Sequence, residues 1–255
     1  MAESRAAERS AMRSVERTLD VIDILADSGG PLKLAEVARK SGLHIATAQR
    51  ILRVLERRNY VAQSSAGYTV GAAALVSAQS FVVRNQLVLV ATPVLQELAK
   101  ALGLTASLSV RVGSARVLVA RVEGTSPPRY QLPIGGRLPL HLGAGKVFLA
   151  DLEPQARAAV LDGLGDEFVT AGGEKITPAE LTARLDEIAD RGYAVSHSER
   201  VLGTVSVAAP VRSRDGSLLC VVQVTGRDDE ITDDALADAK REILNACASI
   251  AARFP

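Results

Sequence analysis

The 255-residue chain has no tryptophan and only four phenylalanines and four tyrosines, so leucine, valine, isoleucine and alanine must fill its core. It has two cysteines, Cys220 and Cys247, far from any Cys-x-x-Cys spacing. That pattern offers neither a disulfide framework nor a zinc site, and it suits a reducing compartment. No run of about 18 apolar residues is present, so nothing reads as a membrane span. Phe81 to Val90 is apolar but short, and Arg84, Asn85 and Gln86 interrupt it. The opening MAESRAAERSAMRS lacks the apolar segment of a signal peptide, and the expected location is the cytoplasm. Catalytic signatures are missing as well. There is no Gly-x-Ser-x-Gly, and Gly143-Ala144-Gly145-Lys146 lacks the spacing and the Ser/Thr of a phosphate-binding loop. No catalytic residue, metal ligand or cofactor is expected. The alternative, a hydrolase arranging Ser206, His141 and Glu199 as a triad, has no nucleophile elbow behind it.

What is present is an uneven distribution of charge. Residues 1–75 hold eleven basic and eight acidic side chains, whereas the remainder holds nineteen and twenty-one. Between Lys33 and Arg58 the count is seven basic to two acidic. A local positive field of this kind attracts phosphate backbones.

The basic stretch is GLHIATAQRILRVLERRNYV, Gly42 to Val61. At helical spacing Ala48, Ile51, Leu52 and Leu55 share one stripe, and Ala46, Gln49, Arg50, Arg53 and Arg57 share the opposite one. Upstream, Val15, Leu19, Ile22 and Ala26 mark a first helix, which Ser14 caps and Ser28-Gly29-Gly30-Pro31 ends. Leu34, Val37 and Ala38 mark a short second helix, and Leu43 plugs the turn after Ser41-Gly42. Val61 to Gly71 reads as two short strands around Ser64-Ser65-Ala66-Gly67. Helix, helix, turn, helix, hairpin is the layout of a winged helix-turn-helix. Its third helix would enter a major groove of double-stranded DNA. His44, Thr47, Gln49 and Arg50 carry groups able to reach base edges or phosphates, while Arg53 and Arg57 lie where phosphates pass. Arg57 and Arg58 have the further option of pairing with Glu56 or water.

Beyond the hairpin, Ala72 to Leu102 is helical in composition, with a break expected at Thr92-Pro93. Leu75, Val76, Phe81, Val82 and Val83 exceed what one buried stripe needs. They are either covered by the chain's own domains or form a dimer contact. TASLSVRV and ARVLVARVEG then alternate around Gly113-Ser114, a hairpin signal. GAGKVFLADL turns helical, and Glu153 to Leu164 reads as a short helix. Thr177-Pro178-Ala179-Glu180 opens another, which Gly192 ends. YAVSHSE, VSVAAPVR and LLCVVQVTG read as strands, with Asp215-Gly216 turning between the last two, and Asp233 to Phe254 as a closing helix. Hairpins mixed with flanking helices imply an α+β fold with an antiparallel sheet.

Five segments in order resemble the IclR family of bacterial transcription regulators, over about residues 13–254. SVERTLDVIDILA is similar to the family's first helix, GLHIATAQRILRVLERRNYV to its recognition helix and GYTVG to its wing. GGRLPLHLGAGKVFLA and RGYAVSHSERVLGTVSVAAPVRSRDGSLLCVVQVTG are similar to its pocket segments. The first dozen residues, polar and Ala-rich, read as a disordered arm at 1–12, and the layout gives a winged helix-turn-helix at 13–72 and a linker helix at 73–90; the resemblance implies that the remainder, 91–255, is a GAF-like effector-binding domain. It also implies a homodimer or homotetramer and a small effector, an organic acid, with control either by repression or by activation. The family's pocket maps onto Gly143, Ala144, Ser196, Thr204, Ser206, Gln223 and Thr225. Thr204 and Ser206 share a strand face, as do Gln223 and Thr225. Backbone amides of Gly143 to Gly145 are the expected seat for a carboxylate, with Lys146 either assisting or pointing to water. His141 and His197 read as structural. Two departures stand out. Ile45-Ala46 replace a basic-Ser pair early in the recognition helix, and Ser196, His197 and Ser198 occupy a stretch of usually acidic residues before Leu202-Gly203, with only Glu199 retained.

Overall fold

A computed structural model describes residues 2–125, 127 and 132–254. The chain divides into two compact units, Met1–Phe81 and Val82–Pro255.

The first unit contains α1 (Ala2–Ala26), α2 (Leu34–Lys40), α3 (Ile45–Arg57), β1 (Val61–Gln63) and β2 (Tyr68–Val70). Segment 1–12, expected as an arm, is helical from Ala2 onward, and Met1 lies outside the described residues. Its Ala, Glu and Arg residues rank high in helix propensity, so the helix does not begin at Ser14. The Ser14 carbonyl instead accepts the Thr18 hydroxyl at 2.8 Å inside the helix. The buried stripe of α1 also differs from the expected one. Val21 and Leu25 are buried, whereas Val15 and Leu19 stay 59% and 56% exposed. The helix carries two apolar stripes, and its own unit covers only one.

Val21 and Leu25 pack with Leu32, Val37, Ile51, Leu52 and Leu55. Burial of Ala48, Ile51, Leu52 and Leu55 on α3 follows the expected periodicity. Leu43 packs partly buried against the same core. β1 and β2 pair antiparallel, with Val61 opposite Val70. The turn between them closes at Gly67, where a Cβ would lie 2.5 Å from the Leu32 carbonyl oxygen. Only glycine fits there.

Helix α4 (Ala72–Arg84) begins against this unit, with Ala73 N–H donating to the Asn59 carbonyl at 3.0 Å. It buries none of its residues, and Leu75 and Val76 are 69% and 72% exposed. Cover within its own unit, one of the two expected outcomes, is therefore not seen at Leu75 and Val76. The helix break also lies elsewhere than expected. Asn85 caps α5 (Gln86–Leu102) by accepting the Val88 N–H at 3.2 Å, and Pro93 sits inside that helix. Pro93 costs one helical hydrogen bond, and burial of Leu87, Val88, Ala91, Val94, Leu95 and Leu98 offsets it. The expected linker at 73–90 thus falls on parts of two helices.

The second unit is built on a six-stranded antiparallel sheet in the order β5-β4-β3-β10-β9-β8. These are β3 (Thr105–Val112), β4 (Ala115–Val122), β5 (Arg137–Pro139), β8 (Ala194–His197), β9 (Thr204–Arg212) and β10 (Leu218–Arg227). On one face, α5 and α9 (Asp233–Arg253) cover a core containing Leu95, Leu108, Val222, Ile243 and Ile250. Cys220 and Cys247 belong to this core; burial raises both thiol pKa values, that of Cys247 to about 12. The other face meets α6 (Gly145–Ala150) and α8 (Pro178–Arg191), around Leu140, Phe148, Leu181, Leu185 and Val221. Helix α7 (Pro154–Asp162) and the short pair β6 (Phe168–Val169) and β7 (Lys175–Ile176) lie between these elements in sequence. Thr177 caps α8 with the capping box that its sequence promises, and Gly192 ends it in the left-handed conformation.

Candidate functional site

Each unit presents one chemically distinctive surface. In the first it is the outer face of α3. His44, Arg50, Arg53 and Arg57 are exposed, and Thr47 and Gln49 are half-buried. All six expected residues therefore lie on or beside the open face. Among the described residues no carboxylate pairs with Arg50, Arg53 or Arg57. His44 precedes the helix in an extended conformation without a side-chain cap bond, so its ring is free of a capping role. The wing is tied to the start of α2 by Lys33, whose ammonium donates to the Ser65 carbonyl at 2.8 Å. A rigid apolar back and an unneutralised arginine front are what a major-groove helix needs.

In the second unit, strand pairing assembles a polar patch on the α6/α8 side. Thr225 stands opposite Thr105 on one neighbour and Ser206 on the other, Gln223 stands opposite Ser107, and Ser196 stands opposite Ser206. Residues directly opposite in a ladder share a face, so hydroxyls from four strands converge. Two adjoining cavities open there, of about 60 and 40 Å³. Thr105, Ser107 and three leucines, Leu118, Leu132 and Leu138, line the larger. Gly143, Ser196, Glu199, Thr204 and Ser206 line the smaller. Arg116, Arg200, Gln223 and Thr225 line both. Gln223 donates to the Thr225 hydroxyl at 3.0 Å, and the Thr204 hydroxyl donates to the Val201 carbonyl at 2.7 Å.

Of the seven expected pocket residues, six line a cavity. Ala144 does not; it is fully buried in the apolar cluster beneath. The expected carboxylate seat is also taken. The Gly143 N–H donates to Glu199 Oε2 at 2.7 Å, and the Gly145 N–H to the Leu142 carbonyl at 3.0 Å. Lys146 neither faces water nor stands ready for a ligand. It is 4% exposed and ion-paired with Glu199 Oε1. A protein carboxylate thus occupies the place foreseen for an effector. Gly145 has no alternative side chain, since a Cβ would lie 2.5 Å from the Pro139 carbonyl oxygen. His141 packs edge-on against Phe168 at 4.8 Å between ring centres, and burial lowers its pKa while Glu199 opposes the shift. His197 Nδ1 lies 3.0 Å from Asp228 Oδ1. Both histidines have structural partners.

Among the polar and charged cavity residues, sequence reasoning missed Thr105, Ser107, Arg116, Arg121, Glu199 and Arg200. The first two were legible in the alternation of TASLSV, where Thr105, Ser107 and Ser109 share a face opposite to Ala106 and Leu108. Arg116 is 2% exposed. Its Nη1 donates to the Ser109 hydroxyl at 3.0 Å, and its Nε has no partner. Burial, reinforced by the charge of Arg200, pushes its pKa down to about 9.

The chain matches two family models, the IclR helix-turn-helix domain over residues 14–65 and the bacterial transcriptional regulator IclR C-terminal domain over residues 79–252. The chain belongs to the IclR family of transcription regulators. It is a DNA-binding regulator with a C-terminal effector-binding domain. It is 28% identical to the transcriptional repressor IclR of Escherichia coli, over 94% of this chain and 89% of that protein. It is 32% identical to the regulator BhcR of Paracoccus denitrificans, over 93% and 88%. The crystal structure of an IclR regulator from Alicyclobacillus acidocaldarius superposes with a TM-score of 0.77 at 25% identity, covering 94% of this chain and 98% of that one. An IclR homologue from Microbacterium hydrocarbonoxydans, solved with 4-hydroxybenzoate, has the same fold, with a TM-score of 0.72 at 19% identity and coverage of 94% and 98%. These IclR-family relatives are named as regulators or repressors rather than enzymes, and the hydrolase alternative finds no support among them. Among the described residues no single helix is long and apolar enough to cross a membrane.

Proposed function

We propose that this regulator reads a DNA operator through α3 and releases or reshapes that contact when a small organic acid fills the cavities of its second unit. His44, Thr47, Gln49 and Arg50 serve base edges and the nearest phosphates, and Arg53 and Arg57 serve phosphates further along. Gly143, Ser196, Thr204, Ser206, Gln223 and Thr225 form the polar wall around the effector. The observation that carries this reading is the contrast between an open, unpaired arginine face and an enclosed, hydroxyl-lined pocket in one chain. Pocket and DNA face communicate by a population shift between conformations, since a ligand acts only through its differential affinity for them. The working form is a homodimer, with the exposed apolar residues of α1 and α4, among them Val15, Leu19, Leu75 and Val76, meeting their copies.

The test is a mobility-shift titration of purified protein on its own upstream DNA, with and without candidate acids. Retardation at concentrations below non-specific binding, altered by an acid and lost with Arg50→Ala, is expected. Retardation that no substitution on α3 weakens would overturn the DNA half. A Gln223→Leu protein that responds to the acid at wild-type concentrations would overturn the pocket half.

A further inference from the structure

Among the described residues Arg116 is a charge without a counter-charge, in a place where one is costly. Its guanidinium carries five donors, and the Ser109 hydroxyl meets only one group of them. A single neutral acceptor does not balance a buried cation. The acid lining the same cavities, Glu199, is already spent, one oxygen on the Lys146 ammonium and the other on the Gly143 amide. The remaining charged residues on the larger cavity are also cations, Arg121 and Arg200. Arg121 turns one group to the Leu132 carbonyl and the other to Glu123. Among the described residues, the larger cavity therefore has three arginines on its wall and no carboxylate. Its other surfaces are neutral hydroxyls and amide on one side and Leu118, Leu132 and Leu138 on the other.

We infer that Arg116 is the residue that binds the effector's acidic group, and that the pocket selects compact carboxylates with a short apolar body over their neutral counterparts. The inference rests on the reading of these cavities as the effector site. An incoming carboxylate meets the planar fork of Arg116 in the bidentate geometry that arginine favours. It supplies the missing negative charge, with Arg200 adding to the field from the cavity wall. The leucines receive the apolar body, and Gln223 and Thr225, which face both cavities, meet a polar group at its other end. A structural explanation, with Arg116 present only to hold Ser109, predicts the opposite stability effect. Removing a structural tether weakens the fold, whereas removing an uncompensated buried cation strengthens it.

The experiment uses full-length protein and four acids, benzoate, 4-hydroxybenzoate, pyruvate and succinate, each beside its neutral amide. Thermal melting and calorimetric titration are run on wild type, Arg116→Met and Arg116→Lys. At least one acid is expected to raise the wild-type melting temperature by several degrees while its amide does not. Arg116→Met should bind that acid at least tenfold more weakly and melt above wild type when ligand-free. Arg116→Lys should keep the preference for acid over amide. The inference is overturned if acid and amide act alike, if no acid acts, if Arg116→Met binds unchanged, or if ligand-free Arg116→Met melts below wild type. A neutral amide that loosens operator binding, or an acid that does so equally in Arg116→Met, would sink the Arg116 inference and leave the effector reading intact. Failure of every compound to alter operator binding despite acid-specific melting shifts would overturn the effector reading and cut the inference back to a carboxylate site at Arg116 without a regulatory role.

Discussion

The two units treat charge in opposite ways. In the first, Arg50, Arg53 and Arg57 stand exposed, with no carboxylate ion-paired to them among the described residues, because the core of that unit needs only the opposite side of α3. In the second, Lys146, Glu199 and Arg116 are almost entirely buried. Exposed arginines keep their hydration until a polyanion displaces it, so they cost the fold little and can serve any phosphate that passes. Buried charges must be matched one by one, so they distinguish one small molecule from another. On the proposed reading, the same residue type supports long-range attraction in one unit and selection in the other.

The comparison can be broken most forcefully at the buried ion pair. Lys146→Met leaves Glu199 buried without its cation, and the second unit should lose about 3–5 kcal/mol of stability in chemical denaturation. A loss below about 1 kcal/mol would mean that water reaches the pair. The corresponding blow to the first unit is Leu52→Ala, which empties a fully buried site behind α3. About 2–5 kcal/mol should go, with operator binding failing through the fold rather than the contact.

On the open face the expected effect is on DNA alone. Arg50→Ala should weaken operator binding by roughly 1–3 kcal/mol and leave the melting curve unmoved. Arg57→Ala should cost less and lower the salt slope of binding by about 1, as one phosphate contact is lost. An Arg50→Ala protein with wild-type affinity at matched salt would remove α3 from the role given to it.

The smallest effect separates local from tertiary design. Thr177→Ala removes the α8 cap and should cost about 1 kcal/mol. The cap also carries a pH signature. Hydrogen bonds from the Thr177 backbone and hydroxyl hold the Glu180 carboxyl below its usual pKa. That contribution is present above the ordinary carboxylate value and fades as pH falls through the lowered one. Thr177→Ala should therefore flatten the acid limb of the stability profile slightly.

Much of the division of α3 into a buried and an open face was legible because its cause is local. Helical spacing alone separates Ile51, Leu52 and Leu55 from Arg50, Arg53 and Arg57, and a tightly packed three-helix unit has only one way to use that division. The hydroxyl wall was half legible for the same kind of reason: strand alternation puts Thr204 with Ser206 and Gln223 with Thr225, and the ladder brings these pairs together.

What alternation could not provide is the register between strands and the pairing of distant charges. Ser109 stands opposite Leu118 while Leu108 stands opposite Ala120, so Val119 is an extra residue in β4. That bulge reverses the parity of the strand. Arg116, Leu118 and Arg121 all reach one cavity as a result, although simple alternation would send Arg121 to the opposite face. Likewise, no local pattern shows that Glu199 will fill the Gly143 amide and hold Lys146 across 53 residues of chain. Nor does periodicity tell which of two apolar stripes on α1 its own unit will cover. The sequence by itself determined which faces exist on each helix and strand, because side-chain direction follows from backbone period. Only the tertiary structure decided which faces are covered and which buried cation has no counter-charge among the described residues, because those outcomes depend on residues brought together from far apart.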